Sequence, residues 1–168
     1  MKLVDLLDIP RPGCEKAGTL AEFLADPRVA QLRWPGDVVD QWLWEHGRHE
    51  EFLDDYGDLE LESVQWSKES LSHVELVSLP TGPSESAVLE QYAVDHRHWV
   101  RVRPPEIAYA WETAGTWLRA PLLIDRALLN PPTTGLQVVE GRTRVGVLRG
   151  RYRDGLRVAP HHMVWIGR

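Results

Sequence analysis

Five consecutive residues in the C-terminal part of the chain have the side-chain types of an anion-binding site: Glu140, Gly141, Arg142, Thr143 and Arg144. A glycine lets the backbone come close to a ligand, and two arginines two positions apart offer bidentate hydrogen bonds to phosphate. Glu140 adds a carboxylate, which suits a general base or a Mg²⁺ ligand beside bound phosphates. We therefore predict that this segment forms a phosphate-binding turn.

The flanking sequence predicts the elements that hold this turn. The apolar run at 136–139 favours a strand, and the spacing of apolar residues after it favours a helix over 142–153. The order strand, glycine, helix brings the first backbone N–H groups and the positive end of the helix dipole to the glycine. Arg149 and Arg153, farther along the helix, are predicted to lie at the rim of the site.

Two acidic residues are candidates for a catalytic role, Glu140 and Asp125. Asp125 follows the apolar run 122–124, which predicts a buried strand. Each carboxylate also has a structural interpretation. Glu140 suits the start of a helix, where a negative charge is favourable, and Asp125 suits a turn in which it pairs with Arg126 or Arg144. Both interpretations stay open for both residues.

Segments 121–125 and 136–145 resemble the core of the ParB/sulfiredoxin superfamily. Members have a proline followed by an apolar strand, and then a second strand that ends in a glycine and arginine box before a helix. Arg144 takes the place of the final arginine of that box, and the resemblance covers roughly residues 85–168. It implies a turn that holds the phosphates of a nucleotide, with a nucleoside triphosphate and Mg²⁺ as the cofactors.

Two features of these families are missing from the sequence. The box contains no cysteine and Cys14 lies far from it, so the reductase chemistry of sulfiredoxins is not expected. No helix-turn-helix pattern follows the box before Arg168, so we do not expect the DNA binding of partition proteins either.

Composition and charge bound the remaining function classes. One cysteine allows no intrachain disulfide and no cysteine-based zinc site. No apolar run approaches the roughly 20 residues that span a bilayer, and the acidic N-terminus differs from a secretory signal. We expect a cytoplasmic protein that does not bind membranes. Residues 1–96 carry 7 Lys/Arg against 20 Asp/Glu, and residues 97–168 carry 12 Arg against 5 acids, which accounts for the net charge of −6.

The acidic half suggests a second kind of partner. Trp34, Trp42 and Trp44 cluster there, and an exposed tryptophan among acids is typical of a surface that binds a basic protein. Packing of these rings inside a helical segment is the alternative that we favour. Nucleic acid is not an expected partner, because a net charge of −13 over residues 1–96 repels a polyanion.

The histidines do not predict a metal site. His161 and His162 are adjacent and point to opposite faces of a strand, whereas His96 and His98 share a face only in an extended segment. His46 and His49 are separated by Gly47, which we expect to end a helix.

Taken together, the patterns predict an α+β fold with a small mixed sheet. We expect an acidic helical extension over 1–80 and a ParB/sulfiredoxin-like domain over 81–168. Residues 1–57 are expected to be helical, with a capping box at Thr19 and Glu22 and a break at Asp26-Pro27 that gives two short helices. Residues 59–66 are expected to form a strand. Strands are predicted at 99–103 and 163–166, with Trp165 in the core and a cost of about 3–5 kcal/mol for its replacement by alanine.

Three hypotheses for function follow. The first is nucleotide or phosphate binding, with phosphoryl transfer or nucleotide hydrolysis as the reactions that would accompany it. The second is a non-enzymatic, immunity-like or regulatory module that binds a basic protein, and the third is a nucleic-acid-binding protein or nuclease. The sequence does not decide whether the protein is an enzyme.

Overall fold

A computed structural model describes residues 1–11 and 18–168, so Cys14 lies outside the described residues. The chain divides into two compact units. Unit 1 comprises Met1–Trp66, Asp125–Gly135 and Gly167–Arg168, and unit 2 comprises Ser67–Ile124 and Leu136–Ile166. The division predicted at residue 80 remains a prediction.

Unit 1 is built from short helices. Its α-helices are α1 (Leu20–Ala25), α2 (Pro27–Leu32), α3 (Gly36–Val38) and α4 (Glu50–Tyr56). A π-helical segment, Val39–Trp44, continues α3, and 3₁₀ turns form at Leu3–Leu6, Leu61–Ser63 and Arg126–Leu128. The helical character predicted for residues 1–57 is therefore confirmed in the described residues.

Local capping signals set the boundaries of the first two helices. The Thr19 side chain accepts from the Glu22 N–H, and the Glu22 carboxylate accepts from the Thr19 N–H, which is the reciprocal capping box that the sequence predicts. Asp26 ends α1 and caps α2, and Pro27 occupies the first position of α2. Two short helices thus replace one long one, as expected from the Asp26-Pro27 pair.

Aromatic rings fill the core of unit 1. Trp42 is fully buried and stacks on Trp34, with 5.5 Å between ring centroids. Trp66 meets both rings edge-on, at 5.5 Å from Trp34 and 5.8 Å from Trp42. Trp44 is half-buried, and its ring centroid lies 5.5 Å from that of Phe23. The tryptophan cluster of the acidic half is therefore used for packing inside the unit.

Unit 2 combines helices with most of the sheet. Its helices are α5 (His73–Ser78), α6 (Val88–Val94), α7 (His96–Arg101), α8 (Pro105–Thr113) and α9 (Arg142–Arg153), with a 3₁₀ turn at Pro83–Glu85. The strands are β1 (Trp66–Ser72), β2 (Leu122–Asp125), β3 (Leu136–Glu140) and β4 (His161–Gly167), in the spatial order β1-β4-β2-β3. The predicted α+β class and small mixed sheet are confirmed.

Hydrogen bonds at the strand ends give the strand directions. Gln65 and Arg168 exchange backbone hydrogen bonds at one end of the β1–β4 pair, and His73 N–H donates to Pro160 at the other, so these strands are antiparallel. Next to β3, Thr81 forms a parallel bridge with Val138, and its hydroxyl donates to the Val138 carbonyl at 3.1 Å.

Two strands predicted between residues 59 and 103 are wrong. Residues 99–103 were expected to form a strand because Val100 and Val102 alternate with arginines, yet α7 covers most of this segment. His96 and Val100 are buried, and their spacing of four positions marks the inner face of a helix. The strand predicted around 59–66 is a 3₁₀ turn followed by the first residue of β1.

Helix α9 packs closely on α6 because two glycines face it. A Cβ atom built on Gly146 would lie 2.3 Å from Tyr92 Cβ, and one built on Gly150 would lie 2.3 Å from the Ala93 carbonyl oxygen. The glycines are four positions apart and so lie on one face of α9. Contact along this face holds α9, the helix that carries Arg144, close to α6.

The position of Trp165 corrects the prediction made for it. His162, Val164 and Ile166 are buried at alternating positions of β4, so Trp165 belongs to the opposite face of the strand. It is half-buried, and the Lys68 ammonium lies 5.5 Å from the centre of its ring. The core of unit 2 instead contains Trp111 and Trp117.

Within the described residues, no helix is long and apolar enough to span a bilayer.

Candidate functional site

The turn between β3 and α9 depends on Gly141. Its φ of 87° lies in the left-handed region, which glycine enters without strain. A Cβ atom at this position would lie 2.3 Å from Pro121 Cβ and 2.9 Å from Arg144 Nε. As the N-cap residue, Gly141 has no side chain that could form a capping hydrogen bond to α9. The predicted strand, glycine turn and helix are confirmed at 136–140 and 142–153.

Arg144 connects both sides of this turn. One of its terminal nitrogens donates to the Arg119 carbonyl at 3.0 Å, and the other lies 3.3 Å from a carboxylate oxygen of Glu140. Both charged side chains are about one-fifth exposed, at 21% and 17%. The guanidinium is thus fixed next to the glycine turn while part of it still faces solvent.

The turn lies beside a cavity of about 330 Å³ in unit 2. From the β3–α9 segment, Glu140, Gly141, Thr143 and Arg144 line this cavity. The remaining wall comes from α7, α8 and the segment before β2. Its lining residues are Trp99, Val100, Arg103, Pro104, Glu106, Ile107, Trp111, Trp117, Leu118 and Arg119, together with Val147 of α9.

The lining contains both apolar and charged side chains. Trp111 and Trp117 meet edge-on, with 6.1 Å between ring centroids, and the Trp117 indole donates to the Met163 carbonyl at 2.8 Å. Three arginines and two glutamates give the lining a formal charge of +1. Such a cavity combines a surface for a flat apolar group with donors for an anionic one.

Other predicted site residues have structural partners. Arg142 forms an ion pair with Glu85, and the half-buried Arg149 donates to the Leu79 carbonyl. Arg153 pairs with Glu90 at 2.7 Å, and both side chains are 54% exposed. The described lining of the cavity includes none of these arginines. They connect α9 to the rest of unit 2.

Asp125 lies in unit 1 and outside the described lining of the cavity. Its carboxylate accepts from the Ala127 N–H at 2.9 Å and caps the turn Arg126–Leu128. This arrangement matches the structural interpretation of Asp125 as a turn carboxylate. Its catalytic role stays a prediction.

Sequence reasoning missed the aromatic and apolar wall. The sequence predicts a strand that contains Trp99 and Arg103 and that ends at Pro104-Pro105. Pro105 instead occupies the first position of α8, a position that proline favours. Ile107 and Trp111, four positions apart in that helix, then both line the cavity. The proline and this spacing were the signals available in the sequence.

His162 packs behind the cavity wall. Its ring lies 4.6 Å from the Trp117 ring, and its Nδ1 lies 2.7 Å from the Thr116 hydroxyl oxygen. Burial, together with the nearby His73 and His161, lowers the pKa of His162 to about 4, although a backbone hydrogen bond with Ala159 opposes this shift. The ring is therefore neutral in the folded protein at neutral pH.

We expect this histidine to make stability depend on pH. Because its pKa is lower in the folded than in the unfolded protein, the unfolded chain binds the proton between pH 6.5 and 4. The contribution of His162 to stability is then fully present above pH 6.5 and falls as the pH drops toward 4, by about 3 kcal/mol. Urea unfolding across this range measures the effect. His162→Gln should reduce the slope, whereas replacement of the exposed His98 should leave it unchanged; equal slopes in all three proteins would contradict the assignment.

Comparison with protein-family models, curated proteins and solved structures finds no match for this chain. The resemblance to the ParB/sulfiredoxin superfamily therefore stays a prediction that rests on the residues of segments 121–125 and 136–145.

Proposed function

We propose that unit 2 binds a small phosphate-bearing molecule, with a nucleotide as the class that fits best, in the cavity beside the Gly141 turn. The observation that carries the proposal is the combination of a positive-φ glycine at the start of α9 and an aromatic wall around the same cavity. The phosphate would lie at the start of α9 beside Arg144. The base or another flat group would lie against the tryptophans.

Physical chemistry favours an anion at this end of the cavity. Helix α9 has twelve residues, so its dipole and its first N–H groups attract negative charge at the Gly141 end. The Arg144 guanidinium is already oriented by the Arg119 carbonyl, so less side-chain freedom is lost when it binds a phosphate. The Glu140 carboxylate opposes a highly charged ligand unless Mg²⁺ neutralises part of that charge.

The positions of the two candidate acidic residues support binding of the ligand without catalysis. Catalysis of phosphoryl transfer requires a carboxylate that is available beside the phosphates. Glu140 lines the cavity but pairs with Arg144, and Asp125 caps a turn in unit 1. Glu140 is therefore the acid to test for Mg²⁺ binding or base catalysis.

The second hypothesis, a basic protein partner, receives less support. It required an exposed tryptophan in the acidic half. Trp34 and Trp42 are at most 8% exposed, and Trp44 is half-buried beside Phe23. Acidic side chains remain on the surface of unit 1, but the aromatic anchors of such an interface are used in the core.

Thermal-shift measurements with ATP, CTP, ADP and pyrophosphate, each with and without Mg²⁺, test the proposal. We expect at least one ligand to raise the melting temperature, and Arg144→Ala to weaken its binding about 100-fold because a charged hydrogen-bond donor is lost. Arg153→Ala is the matched control, since this arginine lies on the same helix outside the cavity lining. Equal binding by both variants, or no shift with any ligand, would reject the proposed site.

A further inference from the structure

A pair of histidines in unit 1 has the geometry of two adjacent metal ligands. The Nδ1 atoms of His46 and His49 lie 3.2 Å apart, and the two rings meet edge-on with 5.0 Å between their centroids. Two nitrogens bound to a tetrahedral Zn²⁺ lie about 3.3 Å from each other, given zinc–nitrogen bonds of about 2.05 Å. The ring nitrogens are therefore spaced almost as a bound ion would hold them.

The backbone brings these two rings together. The π-helical segment Val39–Trp44 ends just before His46, and the His49 N–H donates to the His46 carbonyl at 2.9 Å. The resulting turn passes through Gly47, where a Cβ atom would lie 2.5 Å from the Leu43 carbonyl oxygen and 2.8 Å from Arg11 Nη1. The glycine thus permits a tight turn that places the histidines on one side. It was expected only to end a helix.

Neighbouring groups hold the His46 ring in an orientation that suits coordination. Phe52 stacks on this ring, with 5.1 Å between the ring centroids and an angle of 18° between the ring planes. On the far side of the ring, a carboxylate oxygen of Glu45 lies 3.8 Å from Nε2. Histidine ligands of metals commonly donate their other ring N–H to a carboxylate, which leaves the first nitrogen as the electron-pair donor. Glu45 is placed on the correct side for that role.

Accessibility is compatible with an ion that enters from solvent. The His46 side chain is 23% exposed, and His49 is exposed at the start of α4. Two imidazoles leave the other coordination positions to water. Imidazole nitrogens favour late first-row divalent ions, among which Zn²⁺ and Cu²⁺ bind such ligands well.

We propose that His46 and His49 bind one Zn²⁺ or a similar divalent ion through their Nδ1 atoms, with Glu45 as a positioning residue. The alternative is that the two imidazoles only form a hydrogen bond with each other. Metal titration separates these cases, because a hydrogen-bonded pair without affinity for metal gives no stoichiometric binding. All three residues belong to unit 1.

The experiment uses the full chain without a histidine tag, titrated with Zn²⁺ against a chromophoric chelator. We expect one ion per chain, and binding at least tenfold weaker in His46→Gln and in His49→Gln. Glu45→Gln should weaken binding about tenfold while leaving the stoichiometry at one. His98→Gln is the control and should bind as the wild type does.

Cu²⁺ electron paramagnetic resonance provides a second readout that a merely structural role of the histidines would not change. Nitrogen hyperfine coupling from two imidazoles is expected in the wild type, and coupling from one in His49→Gln. His49 is exposed, so its variant should keep the wild-type circular dichroism spectrum. Absence of one-to-one binding, or wild-type affinity in both histidine variants, would overturn the proposal.

Discussion

Replacement of Gly150 by alanine should lower the free energy of unfolding by about 3 kcal/mol, although glycine-to-alanine changes inside helices usually stabilise. The new Cβ atom would lie 2.3 Å from the Ala93 carbonyl oxygen and 2.5 Å from His96 Nδ1. The first of these atoms belongs to the backbone of α6, so rotation of a side chain does not relieve that contact. Helix α9 would have to move away from α6, and part of the core would lose its contacts.

Denaturant unfolding measures this loss, and Gly36→Ala is the matched control. Among the described residues, no heavy atom lies within 4 Å of a Cβ atom built on Gly36, and the φ of Gly36 is not in the left-handed region. The control variant should therefore be as stable as the wild type or slightly more stable. If Gly150→Ala behaves like Gly36→Ala, the close packing of α6 on α9 is wrong.

Trp111→Ala should cost about 4 kcal/mol, which approaches the whole stability of many domains. The side chain is 1% exposed, and its ring contacts Trp117 edge-on. The Arg151 guanidinium lies 5.6 Å from the ring centre and donates to the Trp111 carbonyl and to Glu112. Loss of the ring would leave a large void under a nearly buried charge, so repacking should recover little of the lost energy.

Trp165 provides the comparison for this second prediction. Its ring is half-buried on the opposite face of β4, so Trp165→Ala should cost only about 1–2 kcal/mol. Urea unfolding of both variants, monitored by circular dichroism, gives the two values. A larger loss for Trp165 than for Trp111 would contradict the assignment of the core and would support the expectation drawn from the sequence.

The sequence was most informative where local signals and burial agree. The run of apolar residues in β3, the glycine and the helical spacing after it all favour the same structure, and the predicted helix matches α9 at both ends. The Thr19 capping box and the Asp26-Pro27 pair were informative for the same reason. Each depends on hydrogen bonds between residues only two or three positions apart.

The rest of the site depends on contacts between residues that are distant in the chain. Trp99 and Arg103 alternate with valines, a pattern that fits a strand, but burial of His96 and Val100 selects a helix. Trp165 was assigned to the core because tryptophan is large and apolar. The elements that pack on β4 determine which of its two faces is buried. The length of the strand alone does not predict the buried face.

Likewise, the partners of the arginines could not be predicted from their spacing. Arg142 and Arg149 are predicted ligands by position, yet Arg142 pairs with Glu85 and Arg149 donates to the Leu79 carbonyl. Both partners are more than fifty positions away. Of the arginines that were predicted around the site, Arg144 belongs to the described lining of the cavity.

The most direct test of the central claim is a nuclear magnetic resonance titration of the ¹⁵N-labelled chain with a nucleotide and Mg²⁺. We predict saturable shifts of the Gly141 and Thr143 amides and of the Trp117 indole N–H. The amide resonances of α4 in unit 1 should not shift. Shifts confined to α4 or other parts of unit 1, or no saturable shift with any nucleotide, would contradict phosphate binding at the start of α9.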